Sequence, residues 1–398
     1  MLKIFLASSL TLSLLSAVTI DELIKNSFDN SYDLKSLEKS IEVANHQIEL
    51  TKNWQNPVLS MGINDLWIND FKSRDKEAMQ ASFVGISQVI PTAGKLDIRE
   101  KIAQKDRNIK IYDLEDKKLE FESKIHEYVY TILLLEEKYK LLDEFHVNLE
   151  KLESLYSSLY SFQKATQNEI LNSQISTLEL NIQKENLRNL IENSYLKLEQ
   201  ITYTKIDKID EKIEIKKVSS LVDNSAHPKF KVLEENVLKQ KNMAELEEAK
   251  KIPDVQLSVS YFQRDDKFTD YLNVAVAIPL PIYNTERVAK VQARMSANET
   301  NDKLGQLKHN YEIQSKILEN NINSAYNNYN LIQKKIIPIK EKVQTNIDSY
   351  NSFDKVKPQE SIKNLNELIS YEVKAIDELQ KYYESYSQLL YFTNKGIK

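Results

Sequence analysis

Apolar and polar side chains alternate strictly in two neighbouring stretches, Val255-Gln256-Leu257-Ser258-Val259-Ser260-Tyr261 and Tyr271-Leu272-Asn273-Val274-Ala275-Val276-Ala277-Ile278. A period of two residues is typical of a β-strand with one apolar face. The charged, turn-like segment between the two stretches favours a hairpin with an exposed tip. Residues 57–90 show a weaker form of this pattern, with Leu59, Met61 and Ile63 before the tip. The sequence therefore predicts two β-hairpins, at about 57–90 and about 254–280.

The two hairpin segments belong to an internal repeat of just under 200 residues. Pro57 before the first hairpin recurs as Pro253, 196 residues later, and Ser194-Tyr195 recurs as Ser385-Tyr386 at an offset of 191. Tandem copies of one supersecondary unit leave this kind of offset. The predicted organisation is a first repeat at 18–204, a connector at 205–217 and a second repeat at 218–398.

Outside the hairpins, the composition indicates long helices. The 398 residues include 5 Gly and 8 Pro, whereas average usage would give about 28 and about 20. Residues 95–227 contain neither, and Leu135, Leu142 and Leu149 follow one another at steps of seven. This spacing is that of helices packed side by side as in a coiled coil. We expect one unbroken helix from Lys95 to Tyr160.

Residues 1–17 have the pattern of a secretory signal peptide. Lys3 precedes an apolar run over 4–15, and Leu15-Ser16-Ala17 offers a small-residue cleavage site. This run is too short to span a bilayer, and no later stretch approaches the roughly 20 apolar residues of a membrane helix. We therefore expect an exported protein without a membrane-spanning helix.

Four strands cannot close a transmembrane barrel, which needs about eight or more. Three chains would supply twelve strands, whereas two would supply eight, whose interior the side chains would fill. A trimer is therefore favoured if the protein is a channel. Aromatic residues at or near the strand ends are predicted to lie at the lipid interface, namely Trp54, Trp67, Tyr261, Phe262, Phe268, Tyr271 and Tyr283.

The doubled layout and several short motifs resemble the TolC family of outer-membrane efflux proteins. The motifs are Thr19-Ile20-Asp21-Glu22-Leu23, Asn56-Pro57-Val58-Leu59-Ser60, Gln88-Val89-Ile90-Pro91-Thr92-Ala93-Gly94-Lys95, Ile252-Pro253-Asp254-Val255-Gln256-Leu257-Ser258 and Ile278-Pro279-Leu280-Pro281-Ile282-Tyr283-Asn284. The last of them is most similar to the branch that includes heavy-metal cation efflux channels.

This resemblance implies a mainly α fold with a small transmembrane β part. Each chain would supply four strands of a trimeric 12-stranded β-barrel, above a long periplasmic α-helical coiled-coil barrel. The protein would be a homotrimer in the outer membrane of a Gram-negative cell, in contact with its lipid and extending into the periplasm. It would dock to a periplasmic adaptor protein and an inner-membrane pump, as the passive exit duct of a tripartite efflux or type I secretion system.

The resemblance also places adaptor contacts at two helix–helix turns. The residues concerned are Phe162, Gln163, Lys164, Phe353, Asp354 and Lys355. The family usually has a glycine in each turn, but residues 160–167 and 350–358 contain none. Either these turns use Asn or Pro instead, or the turns lie a few residues away.

Three carboxylates follow these turns, Glu169, Glu360 and Glu367. In a symmetric tube each inward acid would form a ring of three, and acidic rings bind or select cations. We hypothesise a gate at the periplasmic mouth formed by these residues. The alternative is that they lie on solvated helix faces, as acids interleaved with lysines usually do.

The sequence offers little for catalysis. The chain has no Cys, its five histidines are scattered, and it contains no HExxH, nucleophile-elbow or phosphate-loop motif. We therefore expect no enzyme activity, no cofactor and no metal site, and an exported hydrolase is the least favoured reading. Acids balance the bases along the chain, which disfavours nucleic-acid binding. The main alternative to a channel is a soluble periplasmic coiled-coil scaffold or adaptor whose strands form a small capping sheet.

Overall fold

The computed structural model describes residues 18–70, 72–218, 225–351 and 358–393. The predicted signal peptide, residues 1–17, lies outside this part of the chain. The helices are α1 (Ile20–Asn30), α2 (Tyr32–Lys52), α3 (Lys95–Ser161), α4 (Gln167–Thr202), α5 (Pro228–Ala249), α6 (Thr285–Leu331), α7 (Ile337–Asn351) and α8 (Pro358–Phe392). The strands are β1 (Val58–Asn64), β2 (Ala81–Ile90), β3 (Val255–Gln263) and β4 (Tyr271–Ala277).

The four strands form one antiparallel sheet in the order β1-β2-β3-β4. Each hairpin pairs its own two strands, and β2 pairs with β3 across the repeat boundary. One row of the register runs from Ser60 through Gly85 and Ser260 to Asn273. The prediction of two hairpins with four strands per chain is confirmed.

Helix α3 is a single helix of 67 residues. The prediction of an unbroken helix from Lys95 to Tyr160 is therefore confirmed to within one residue at its C-terminal end. The absence of Gly and Pro explains this length, because those two residues are the ones that most strongly interrupt a helix.

The chain divides into two compact units. Unit 1 falls within Met1–Lys35, Asp116–His227 and Asn310–Lys398, and unit 2 within Ser36–Glu115 and Pro228–His309. In unit 1, Leu135, Leu142 and Leu149 of α3 pack with Leu180 and Leu187 of α4. The heptad spacing thus predicted the buried face of α3 correctly.

The connector at 205–217 is packed against unit 1 although it has almost no regular secondary structure. Ile206 and Ile209 belong to the buried core of this unit. The Tyr382 hydroxyl of α8 donates to the Lys216 carbonyl (2.9 Å) and accepts from the Lys216 amide (3.1 Å). These contacts satisfy backbone groups that lack a strand or helix partner.

A single π-helical turn, Ile332–Ile336, separates α6 from α7. Pro338 is the second residue of α7, and a proline clashes with the carbonyl four residues before it in a regular α-helix. The wider π turn removes this clash while the helix axis continues. Among the described residues, no helix combines the length and the apolarity needed to cross a bilayer.

Candidate functional site

The sheet in unit 2 carries no charge on its strands. None of the 33 residues of β1, β2, β3 and β4 is Asp, Glu, Lys or Arg, although 28% of the whole chain is charged. Charged residues appear as soon as the strands end, at the two hairpin tips. This segregation makes the sheet the strongest candidate for a functional surface.

One side of the sheet, here called the apolar face, presents large apolar side chains to the exterior. The register brings Leu59, Ile86, Val259 and Val274 into one row. Ten of its apolar or aromatic members are exposed, namely Leu59, Met61, Ile63, Val84, Ile86, Leu257, Tyr261, Leu272, Val274 and Val276. A contiguous exposed patch of this kind indicates contact with lipid or with another protein.

The other side, here called the small-residue face, is lined mainly by Ser, Gly, Ala and Asn. One of its rows is Ser60, Gly85, Ser260 and Asn273, and another contains Ser87, Ser258 and Ala275. A Cβ atom at Gly85 would overlap the Ser260 hydroxyl. Any larger residue at position 85 would force Ser260 to move, which shows how closely the groups on this face approach one another.

Three stacked aromatic rings cross the small-residue face near the hairpin tips. Phe83 and Phe262 have ring centres 5.3 Å apart, and Phe262 and Tyr271 have ring centres 4.7 Å apart with nearly parallel planes. These spacings match the separation of neighbouring strands, so the rings stand side by side like the rungs of a ladder. Gly62 completes the row, since a Cβ there would lie 2.7 Å from the Phe83 ring. We call Phe83, Phe262 and Tyr271 the aromatic ladder.

Arg264 ties this ladder to both hairpin tips. Its guanidinium lies 5.3 Å from the ring centre of Tyr271 and 5.7 Å from that of Phe268, both distances typical of cation–π contacts. It also donates to the Ala78 carbonyl in the other tip at 3.1 Å. The tips are joined further by the Lys267–Asp75 ion pair (2.8 Å).

Buried polar groups fix the base of the sheet, where the chain enters α3. The Lys95 side chain is 3% exposed, and its ammonium contacts the Asp254 carboxylate at 2.7 Å and the Ile252 carbonyl. The backbone amide of Thr92 donates to the same carboxylate at 2.9 Å. Burial raises the pKa of Asp254, but the hydrogen bonds from Lys95 and Thr92 outweigh burial and leave the pKa below its ordinary value. This cluster joins the base of one hairpin to that of the other.

The predicted interface aromatics divide between different parts of the sheet. Trp54 and Tyr283 are exposed at its base, and Trp67 is exposed at the tip of the first hairpin. Tyr261 lies on the apolar face, whereas Phe262 and Tyr271 lie on the small-residue face. Adjacent residues of a strand point to opposite faces. Tyr261 therefore does not share a face with Phe262 and Tyr271, and the lipid-interface role of these aromatic residues stays a prediction.

The first helix–helix turn lies between α3 and α4, inside the stretch predicted to hold it. Phe162 is exposed, and the left-handed position is filled by Gln163, with φ +57°. The Lys164 amide donates to the Leu159 carbonyl at 2.9 Å. Of the two alternatives left open for the turns, the use of Asn or Pro is wrong for the first copy. Phe353, Asp354 and Lys355 of the second turn lie outside the described residues.

The three predicted gate carboxylates lie around Tyr156 in unit 1. Glu360 and Glu367 line a groove of about 620 Å³ that also includes Tyr156. Burial raises the pKa of the Tyr156 phenol, and the nearby Glu169 carboxylate raises it further. The hydrogen bond from the Lys340 ammonium lowers the pKa of Glu367.

Glu169 also has a local structural role, because it caps the start of α4. Its carboxylate accepts from the amide (2.7 Å) and the hydroxyl (3.0 Å) of Thr166. Such a capping box satisfies amides that a helix start leaves unpaired. Within the described part of the chain, no group of three or more His, Asp or Glu residues is arranged to hold a metal ion.

The fold is similar to that of solved outer-membrane channels. The Campylobacter jejuni CmeC outer membrane channel is 13% identical with a TM-score of 0.76, over 95% of this chain and 86% of that chain. The Neisseria gonorrhoeae MtrE outer membrane channel, solved in its open state, is 12% identical with a TM-score of 0.78, over 95% and 89%. CusC, studied for transmembrane channel formation, is 11% identical with a TM-score of 0.76, over 94% and 92%.

No protein-family model and no curated protein sequence matches the chain. At 11–13% identity the likeness to the three channels establishes the fold. The predicted fold class, long helices with a four-stranded contribution from two helix–hairpin–helix copies, is confirmed, and so is the resemblance to TolC-type channels at the level of fold.

Proposed function

We propose that the chain is one protomer of a trimeric outer-membrane channel of the TolC family, the passive exit duct of a tripartite efflux or type I secretion system. The observation that carries this proposal is the uncharged sheet with its exposed apolar face. The ten large apolar side chains in one exposed patch, on strands without any charged residue, are what a lipid-facing barrel wall requires.

The dimensions of the apolar face suit a bilayer. Along β4 and the residues after it, every second side chain from 272 to 280 is apolar and exposed. Eight residues at about 3.4 Å each, tilted by about 45°, span about 19 Å of membrane thickness. This height approaches the band of about 25 Å on outer-membrane barrels. Trp54 and Tyr283 at the base, and Trp67 and Tyr261 toward the tip, would then flank the band as interface aromatics.

The open edges of the sheet support assembly with further copies. Strands β1 and β4 each have one neighbour, are both seven residues long, and run antiparallel to each other. Unpaired edges are not tolerated in lipid, so β4 of one copy would pair with β1 of the next. Three copies give twelve strands, enough for an aqueous lumen where eight are not.

A helix surface in unit 1 supports the same assembly. Leu171, Ile175, Leu178 and Ile182 of α4 are exposed at steps of four and three. This spacing is that of a coiled-coil seam, and a second copy of the chain is the partner that fits it.

The proposed location is the outer membrane, with the helices in the periplasm. An adaptor and an inner-membrane pump are the proposed partners, and the exposed Phe162 turn is the proposed adaptor contact. The chain acts as a conduit without enzymatic activity. The heavy-metal branch stays a prediction that rests on the Ile278–Asn284 motif alone.

The gate hypothesis also stays a prediction. We expect Glu360→Gln together with Glu367→Gln to reduce the cation selectivity of the trimer in a planar bilayer. The matched control is Glu299→Gln, an exposed helical acid of unit 2 that pairs with Lys303. Unchanged selectivity in the double variant would contradict the gate.

The first experiment measures the mass of the detergent-purified protein together with its single-channel conductance in a planar bilayer. We expect a trimer that needs detergent for extraction and forms discrete pores. A freely soluble monomer that forms no pores would overturn the proposal and favour the scaffold alternative.

A further inference from the structure

We infer that the aromatic ladder of Phe83, Phe262 and Tyr271 narrows the outer end of the lumen and limits the duct to small solutes. This inference rests on the proposed function, because it requires the sheet to close into a barrel with the small-residue face inside. The ladder is then the bulkiest feature that the strands present to the passing cargo.

The faces of the sheet decide where these rings point. Phe262 is 9% exposed and lies between its two ring neighbours, while Tyr261 beside it is 45% exposed on the apolar face. A barrel that turns its apolar face to lipid turns all three ladder rings inward. The remaining rows of the small-residue face carry mostly Ser, Gly, Ala and Asn, so the inner wall is smooth elsewhere.

The ladder occupies a short stretch of the lumen. Phe83 and Tyr271 lie two strands apart, and strands about 4.8 Å apart and tilted by about 45° separate the two rings by about 7 Å in height. Three chains would therefore place nine rings in a zone about one side chain high.

The width of the lumen follows from the strand number. Twelve strands with this spacing and tilt give a backbone diameter of roughly 26 Å. Rings that project roughly 6.5 Å from opposite walls leave roughly 13 Å, whereas serine or alanine rows leave roughly 18 Å. The ladder therefore sets the narrowest width of the strand-lined lumen.

The ring positions are rigid. Each inner ring packs face to face with the next, Gly62 leaves room for Phe83 on one side, and Arg264 contacts Tyr271 on the other. Arg264 is itself held by the Ala78 and Thr269 carbonyls. A side chain fixed by neighbours on both sides cannot swing aside for a wide solute. The cargo class that fits is the small solute, less than roughly 13 Å wide.

The absence of cysteine from the chain permits a direct test by thiol labelling in intact cells. Ala275→Cys puts a thiol on the small-residue face below the ladder, and Val276→Cys puts the matched thiol on the apolar face. Asp266→Cys puts one at the tip, outside the ladder. The probes are a small charged methanethiosulfonate and a maleimide attached to a bulky polyethylene glycol, both added outside the cells.

We expect the small probe to label the thiols at 266 and 275 and not at 276. The bulky probe should label 266 normally and 275 more slowly by on the order of tenfold, as a steric barrier of a few kT would cause. Phe83→Ala with Phe262→Ala should restore rapid labelling of 275 by the bulky probe. Phe262→Leu, which is less disruptive, should restore it in part.

The outcomes separate the two proposals. If the small probe labels 276 and not 275, the small-residue face does not line the lumen, and the proposed function is wrong. If the bulky probe labels 275 as fast, relative to 266, as the small probe does in the otherwise unchanged chain, the barrel stands and the constriction is refuted. The second comparison needs no ladder variant, so it holds even if the double alanine variant fails to assemble.

Discussion

A lysine in place of Val276 would put a charge at the centre of the apolar face. Val276 is 59% exposed in the isolated chain, and exposed apolar side chains extend two positions to either side along the same face. In a bilayer it would lie about 10 Å from both interfaces, taking about 3.4 Å per residue and a tilt of about 45°.

The expected penalty follows from that depth. A lysine on the lipid face costs about 2–4 kcal/mol near the midplane of an outer-membrane barrel. Three copies in a trimer would together lose about 6–12 kcal/mol. Such a loss is comparable to the whole stability of many folded domains, so Val276→Lys should strongly reduce the assembled trimer.

The matched control is Ala275→Lys. Ala275 is the preceding residue of the same strand, exposed on the small-residue face. There the new ammonium would lie in the aqueous lumen and cost little. Because both positions belong to edge strand β4, any general effect of lysine on strand pairing is common to the two variants.

The assay is trimer yield in the outer membrane, followed by the urea midpoint of the purified protein in lipid vesicles. We expect Val276→Lys to lower both and Ala275→Lys to leave both nearly unchanged. If the sheet instead faced water, Val276→Lys would be neutral or would improve solubility. Equal behaviour of the two variants would therefore refute the assignment of the apolar face to lipid.

Three further substitutions test local contacts. Gln163→Gly should raise the melting temperature through a gain of about 1 kcal/mol, because glycine adopts a positive φ without strain, and an unchanged or lower value would contradict this. Lys95→Met should cost about 2 kcal/mol in urea unfolding, because the Asp254 carboxylate loses its cation and keeps the Thr92 amide. Lys303→Met, which removes an exposed helical pair, should change the free energy of unfolding by less than about 0.5 kcal/mol. Burial lowers the pKa of His126 in α3 to about 4, so folding favours the neutral imidazole. The free energy of unfolding should therefore fall by up to about 3 kcal/mol as the pH drops from about 6.5 to 4. His126→Phe should flatten this part of the plot of stability against pH.

The sequence was sufficient to predict the elements whose signal is periodic. The period-two pattern located β3 and β4, and the step of seven from Leu135 to Leu149 identified a buried helix face. Both signals arise from one face of an element meeting a different environment, and each is visible within a few turns or strand residues.

Contacts between distant parts of the chain carried no such signal. Lys95 and Asp254 are 159 positions apart and look like any other charged residues in a chain that is 28% charged. Gln80 is likewise buried in the first tip, where its amide donates to the Asp65 carbonyl. Polar side chains that organise loops follow no period, so only the folded geometry identifies them.

Phe262 and Tyr271 lie on the face opposite Tyr261, which nearness to a strand end does not predict. Nearness to strand ends groups these residues with Tyr261, and that criterion ignores which face each side chain occupies. The alternation of β3 already separated Tyr261 from Phe262, because their positions differ by one. The strand partner of Phe262, Tyr271, could be assigned only once the register was known.

The strand register also shows a stagger between the two hairpins, which favours a barrel over a flat capping sheet. The repeat offset of 196 makes Asp254 the sequence equivalent of Val58. In the sheet, however, Val58 lies in one row with Ser258, which is four residues after Asp254. By the second offset, Pro91 to Pro281, Ser87 corresponds to Ala277, yet it lies in the row of Ala275.

Both displacements shift the second copy toward the base of the sheet, by about three residues on average. Three residues at about 3.3 Å each are a shift of about 10 Å along the strands. Equivalent strands of the two hairpins are two strands apart, which at about 4.8 Å per strand is also about 10 Å across the sheet. A shift equal to the lateral distance corresponds to a strand tilt of about 45°. Strands of a flat sheet need no stagger between copies, whereas closure into a barrel requires one, with strand tilts of about 35–45°. The duplicated hairpins are thus already staggered within one chain by the amount that a closed transmembrane barrel needs.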